Sequence, residues 1–577
     1  MNLIDLFTKK LDTRQKQYEA VRAVAFNEEP LDVIAARFGY SPQALRNLVN
    51  NVKKGKHSLF PSIKPGPKER HTPAGIIDEI CKLRREKSLS SRDIAGELNK
   101  RGVKISVKTV ERALADKGFG KLQRRTNKER CLSKQGTIIP SRTSHLDFKR
   151  LEPFRAECQV AGIFLFLPYI LETGILDIVS QCALPESSDI GNRQAALSML
   201  ALKLLGKDRL SHINQYNSDS GLGAFAGLNH LPQPTYMCTY SCRTSAASLM
   251  DFQKTLLRKL TSLRPDLYKG ETINLDFHSI PHFGDESQME KVWCGARGKA
   301  LKGANTFIAQ DGGSNSIIYS SADIKRSEAS CEIKNFVDYW LDIKGVINET
   351  LVFDSMLTDY KTLYDLDDDN IKFITLRRRS KKLIDDALSI PDSQWQNVHL
   401  PIPKRKYKDV RVHHSNVSVI KGKETFRQLI VRDHGRLEPT FVISNNDDFS
   451  LQDILMVYAQ RWHIENKLAE LVKFFSLNSL SSPIMTRIHF DVLWTIIADT
   501  LYHIFARELR RFETMSAPKM FRNFIDMPGI VQFDGKNFII KIRKRASTPV
   551  LLGVKKLNQD ITVPWLDNRL VKIQWTA

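Results

Sequence analysis

The stretch VYAQRWHIENKLAELVKFF, residues 457–475, has the periodicity of a helix and carries a polar line along it. Tyr458, Arg461 and Glu465 are spaced three and four apart, which predicts one shared helical face. The plain reading is a surface Arg461–Glu465 pair at i,i+4, worth about 0.2–0.5 kcal/mol. The chemical reading is a helix that presents a carboxylate and two phosphate-binding groups to a site built elsewhere. Arginine offers a charged fork for phosphate, and tyrosine a hydroxyl and a stacking face.

Working outward, the segment 380–445 reads as polar, alternating strands, and FDVLWTIIADTLYHIFARELRRF, residues 490–512, as a long buried helix. Upstream, ETINLDFHSI (271–280) is a strand. ANTFIAQDGGSNSIIYSS (304–321) reads as two strands and a Gly-rich turn, and SEASCEIKNFVDYWLDI (327–343) as a crossover helix. ETLVFDSMLTD (349–359) and IKFITLRRR (371–379) are further strands with a short helix between them. This order predicts a mixed sheet with helices packed on it. Alternation places Asn274 and Asp276 on one face of the first strand, and Asp354 ends a very apolar strand, where open sheets put their sites.

Taken singly, each acid is more readily a structural residue, a turn former or a salt-bridge partner, than a catalytic one. Converging, Asp276, Asp354 and Glu465 would repel unless a cation sat among them. Mg²⁺ prefers oxygen ligands and substrate phosphates, and a pair of such ions about 3.5–4 Å apart can clamp the attacking and leaving oxygens of a phosphodiester.

The chain has 577 residues, too many for one core, and 42% of them are hydrophobic. Its formal charge is +23. That excess points to a polyanion, nucleic acid first and an anionic membrane surface second. No apolar run reaches the roughly 20 residues of a membrane span. The N-terminus has no secretory pattern, and the eight cysteines form neither a disulfide framework nor a zinc-finger spacing. The expected setting is reduced and cytoplasmic.

Two helix-turn-helix patterns open the chain. In the first, Gly39 marks the turn, Ser41 the cap and Pro42 the first turn of a second helix. That helix exposes Gln43, Arg46, Asn47 and Asn50, types that read base edges or phosphates. In the second, Ser106 caps a helix exposing Lys108, Thr109 and Arg112. Protein-binding three-helix modules would look alike; two in tandem on a basic chain favour DNA.

The acidic segments resemble the DDE transposases of insertion sequences, in the group with a Tyr-Arg-Glu-Lys signature. There two residues separate Tyr from Arg, three separate Arg from Glu, and six separate Glu from Lys. YAQRWHIE matches the first three as Tyr458, Arg461 and Glu465, and the fourth position is Val472, with Lys473 beside it about 100° round the helix. LDFHSIPHFG resembles the first-Asp strand and VFDSMLTDYKTLYDL the second-Asp segment. The resemblance covers roughly residues 270–515. It implies a multidomain α+β chain with a ribonuclease-H-like α/β catalytic core. Asp276, Asp354 and Glu465 would hold two Mg²⁺ ions, with Mn²⁺ able to substitute, and Tyr458, Arg461 and Lys473 would contact DNA. It also implies binding of the element's terminal inverted repeats, strand cleavage, 3′-hydroxyl transfer into target DNA, and a homodimer or larger assembly at the nucleoid.

The expected division is a helix-turn-helix module at 1–57, a basic linker at 58–72, a second module at 73–120 and a linker at 121–150. A helical scaffold at 151–268 follows, then a core at 269–524 with its β-rich insertion at 380–445, and a strand-rich segment at 525–577. A domesticated, non-catalytic DNA-binding regulator and a metal-dependent nuclease without joining activity are the alternatives.

Overall fold

The computed structural model describes residues 12–26, 29–60, 72–87, 89–119, 143–207, 210–216, 218–282, 289–294, 297–322, 324–403, 406–479 and 484–576. Most of the two expected linkers, 58–72 and 121–150, lies outside these residues. The chain divides into two units, Met1–Ile139 and Pro140–Ala577.

In the first unit, α1 (Thr13–Ala25), α2 (Leu31–Arg37) and α3 (Pro42–Lys53) close on Ala20, Ile34, Leu45 and Val49. Gly39 takes φ +63° at the turn, a conformation that L side chains avoid. Ser41 Oγ accepts the Ala44 N–H at 3.2 Å, capping α3. Helices α4 (Ala74–Lys87), α5 (Ser91–Lys100) and α6 (Val107–Asp116) surround Ile80, Ile94, Leu98, Val110 and Leu114. Ser90 and Asp93 form a reciprocal capping box on α5, and Ser106 caps α6.

The second unit begins with strand β1 (Phe154–Cys158) and continues through mainly helical chain, including α7 (Asn192–Leu204) and α8 (Ala246–Leu263). Among the described residues no single helix is long and apolar enough to cross a membrane. The apolar run from Ala161 to Gln181 is bent by 58°, and most of its side chains are buried in the core.

A large sheet follows, made of β2 (Thr272–Pro281), β3 (Lys291–Cys294), β4 (Lys299–Asp311), β5 (Ile317–Ser321), β6 (Thr350–Phe353) and β7 (Phe373–Leu376). It continues through β8 (Gln396–His399), β9 (Asp409–Val417), β10 (Phe426–Arg432) and β11 (Thr440–Ser444). Its order is β3-β4-β2-β6-β7-β11-β10-β9-β8, with β5 on β4. Strands β5, β4 and β2 are antiparallel neighbours, whereas β2, β6 and β7 run parallel. Parallel neighbours need crossovers, and α9 (Glu332–Lys344) and α10 (Tyr360–Asp368) supply them. Strand β6 is buried along its length, as a strand covered on both faces must be.

The strands at 380–445 extend the core sheet beyond α11 (Lys381–Leu388), since β11 pairs with β7. The segments 151–268 and 525–577 are joined by a second sheet. Strands β12 (Gly529–Phe533), β13 (Phe538–Arg543), β14 (Ile561–Val563) and β15 (Arg569–Thr576) return to β1 in a sheet ordered β1-β12-β13-β15-β14. The physical reason is pairing: Phe154 lies opposite Phe533, and both rings pack with Phe538. A single short strand inside a helical stretch leaves too weak an alternation to announce this.

Candidate active site

The register of β2 on β6 sets the first two acids. Leu275 lies opposite Phe353 in the parallel ladder, so the next residue on each strand is a carboxylate, Asp276 and Asp354. Asp276 Oδ1 accepts the Phe277 N–H at 2.9 Å, and Asp354 Oδ1 accepts the Met356 N–H at 2.8 Å. The Asp354 bond closes the turn just past the carboxyl end of β6, where the helical crossover leaves a crevice.

The third acid arrives on a helix that is not continuous. The stretch 457–475 is divided between α12 (Leu451–Gln460) and α13 (Trp462–Phe474), with Arg461 at the junction. There Arg461 N–H reaches Tyr458 O at 3.2 Å and Ile464 N–H reaches Arg461 O at 3.0 Å, tight i→i+3 bonds in place of the α-helical ladder. The single-helix reading is therefore corrected, yet the three side chains still meet one site. Arg461 Nη1 lies 3.2 Å from Asp276 Oδ2 and Nη2 lies 2.6 Å from Glu465 Oε1. The guanidinium is only 12% exposed, whereas Glu465 is 59% exposed. A surface pair would leave Arg461 in solvent; here it reaches across to the central strand.

Burial pushes the Asp276 carboxyl from the ordinary 3.8 up to about 6; Arg461 opposes the rise, and the charges of Asp354 and Glu465 add to it. Burial works against the charge of Arg461, but Asp276, Tyr458 and Glu465 outweigh it and hold the guanidinium's pKa above its ordinary value. Burial pushes the Tyr458 phenol up to about 12, against the pull of Arg461, so its hydroxyl stays a neutral donor.

The three acids supply only oxygen donors, the set that suits Mg²⁺ or Mn²⁺. Among the described residues, however, no group of three or more His, Cys, Asp or Glu side chains is arranged to hold a metal ion. Arg461 lies between two of the acids, with one nitrogen on Asp276 and the other on Glu465.

Behind the acids lie residues the sequence reading passed over. Lys467, on the buried side of α13, gives its Nζ to Asp499 Oδ1 at 2.7 Å and lies 3.0 Å from His503 Nε2. Both partners are on α14 (Met485–Glu508), buried along most of its length, and Lys203 of α7 meets its Asp491 at 2.8 Å. Burial, with Lys467 beside it, holds the His503 imidazole neutral. The signals were present: Lys467 interrupts the stripe Ile464, Leu468, Leu471, and Asp499 interrupts an apolar run. His278, which the sequence already placed near the acids on β2, shares a 2.7 Å hydrogen bond with Asn478, just after α13, and burial lowers its pKa.

Lys473 is exposed, and the structure gives it no contact with the acids, while Val472 packs against the core. Gln43, Arg46 and Asn47 are exposed on α3, with Gln43 Nε2 bonded to Asn47 Oδ1 at 3.3 Å. On α6, Lys108 and Arg112 are exposed; Thr109 is half-buried, its hydroxyl 2.9 Å from Ser106 Oγ, so it serves the cap more than a surface. Trp395 is a core residue under the Arg432 guanidinium, 4.0 Å from its ring centroid. Beside Asp354, a cavity of about 710 Å³ opens between Ser355, Arg378, Arg379, Lys381, Asp385 and Glu438.

No protein-family model matches the chain, and no curated protein matches its sequence. Among solved structures, it is similar to a piggyBac transposase synaptic complex with hairpin DNA, at 11% identity and a TM-score of 0.37, over 64% of this chain and 81% of that one. It is also similar to a pre-cleavage Mos1 transpososome, at 8% identity and a TM-score of 0.14, over 63% and 78%. A Mos1 paired-end complex with Mn is a third, at 8% identity and a TM-score of 0.13, over 63% and 78%. TM-scores this low carry no weight, and the functional reading rests on the geometry of this chain's own residues.

Proposed function

We propose that this chain is a DDE-type DNA transposase of the insertion-sequence kind, with a ribonuclease-H-like core. It binds the terminal inverted repeats of its element, cleaves DNA strands, and transfers the 3′-hydroxyl ends into target DNA. The observation that carries the reading is the pair Asp276 and Asp354 at neighbouring parallel strand ends, with Arg461, Tyr458 and Glu465 brought against them by α12 and α13. The mixed sheet, three antiparallel strands then two parallel ones, fits a ribonuclease-H-like core.

In this reading Asp276, Asp354 and Glu465 would hold Mg²⁺, or Mn²⁺ in its place, with Arg461 turned from the gap onto a DNA phosphate. The bound metal would supply the activated water and the charge neutralisation that in-line displacement at phosphorus needs. The chain's own residues do the rest. Arg461 forks onto a phosphate at the cut end, and the neutral Tyr458 hydroxyl donates beside it. The exposed faces of α3 and α6 carry Gln43, Arg46, Asn47, Lys108 and Arg112 to the element's ends. Two ends must be paired, so the working form is a homodimer or larger, acting on DNA in the cytoplasm at the nucleoid.

The test mixes the full chain, Mg²⁺, a strand-end DNA duplex and a target plasmid. Joined product, lost in Asp276→Ala, is expected. Cutting without joining would make the chain a nuclease, and binding without either would make it a regulator. Joining that survives Asp276→Ala would remove the acid assignment.

A further inference from the structure

The sequence analysis passed over β3, a short strand with an exposed tryptophan. Strand β2 pairs with β4 as far as Pro281 opposite Gly303, and β3 takes up the opposite edge of β4 just beyond, with Lys291 opposite Lys302 and Trp293 opposite Ala300. Further along that edge β4 is paired with β5 only between Phe307 and Gln310, so β5 does not reach β3. The end of β4 with β3 is therefore a two-stranded ribbon that prolongs the core sheet past the end of β2.

Three features set this ribbon apart. Trp293 is 63% exposed, although tryptophan is among the side chains with most to gain from burial. Lys291, Arg297, Lys299 and Lys302 fall between positions 291 and 302, and no acid occurs from 291 to 310. The register also fixes the face. Directly opposed residues share a face, and Asp276 lies opposite Ile308 on the continuous strand that also carries Ala300 and Lys302. Positions 308, 302 and 300 are an even number of residues apart, so Trp293 and Lys291 stand on the same face as Asp276. Gly303 permits the junction, since a Cβ there would lie 2.4 Å from Ile280 O.

At about 3.3 Å per residue, Trp293 stands roughly 27 Å along the strands from Asp276, about eight base pairs of duplex. We propose that the β3–β4 ribbon is a DNA contact that grips the duplex flanking the acid site, with Lys291 and Lys302, opposed on that face, at phosphates and Trp293 packed on a sugar–base face. A two-stranded ribbon of this width fits the major groove. The direction of the DNA rests on the proposed function; the ribbon's affinity for DNA does not.

The test uses the full chain without metal and a blunt-ended DNA duplex of arbitrary sequence, with binding followed by fluorescence anisotropy across a salt series. Trp293→Ala is expected to weaken binding at least about fivefold, the low end for a stacked aromatic. Lys291→Ala with Lys302→Ala is expected to flatten the dependence of log Kd on log salt by roughly two. Trp293→Phe, which keeps an aromatic face, should bind more tightly than the alanine variant, and unchanged melting temperatures would show that all three fold. Wild-type affinity and salt slope in both the tryptophan-to-alanine and the double-lysine variants would overturn the ribbon's role. Weakened binding together with a wild-type chain that never joins DNA would remove the transposase reading and leave the ribbon a DNA contact. Joining with unchanged binding would do the reverse.

Discussion

Replacing Asp276 with asparagine should stabilise the protein at neutral pH while removing its activity. The carboxyl's pKa is raised from 3.8 to about 6 on folding, chiefly by burial. A group whose folded pKa lies above its unfolded value contributes stability that is fully present below the unfolded pKa and is lost as pH rises through the folded one. Here that window runs from about pH 4 to about pH 6, and above it the ionised acid costs about 3 kcal/mol, at about 1.4 kcal/mol per pH unit. Asparagine has no charge to desolvate and can still accept a hydrogen bond from Arg461, which keeps Glu465 as a partner. Melting temperatures of wild type and Asp276→Asn, measured without metal from pH 4 to pH 8, give the difference directly. The variant should gain on the wild type as pH rises from about 4 to 6 and hold a roughly constant lead above. A difference that is flat with pH, or a variant less stable at pH 8, would refute the account of Asp276 as a buried acid charged at a cost.

Other perturbations read different parts of the same site. Arg461→Gln empties the gap between Asp276 and Glu465, so Mn²⁺ binding followed by electron paramagnetic resonance should tighten while strand joining falls; unchanged affinity would show that Arg461 is not the obstacle. Lys467→Ala strands Asp499 in the core and should cost about 3–5 kcal/mol, whereas Lys467→Met with Asp499→Leu should recover most of it, measured by thermal denaturation. Ser41→Ala removes the cap of α3 and should cost the N-terminal unit about 1 kcal/mol, seen as a lower helical melting transition by circular dichroism.

The large sheet was legible because its strands alternate or run wholly apolar and are separated by turn residues, as in residues 271–280 and 350–353. The acids were legible because each interrupts such a pattern at a strand end or on a helical face. What was hidden depends on pairing partners far away in sequence. Strand β1 is only Phe154–Cys158, and its pairing with β12 cannot be seen from either segment alone. The break at Arg461 was masked because a tight i→i+3 turn keeps helical backbone angles and leaves the periodicity nearly intact. The occupancy of the acid gap by Arg461 is a matter of distances, and the i,i+4 spacing showed only one of its two partners.

The sheet that joins β1 to β15 has a consequence for synthesis. Ribosomes add about 5–20 residues per second and domains form in the order they emerge. The helices of the N-terminal unit close on cores local in sequence, the kind that form quickly. Strand β1 must wait for partners beginning at Gly529, and the internal strand β15 ends at Thr576, about 420 residues and roughly 20–80 s later. A nascent chain thus completes its N-terminal helices well before the unit that carries Asp276, Asp354 and Glu465 can close; under the proposed function, its first encounter with DNA can precede the completion of its chemistry.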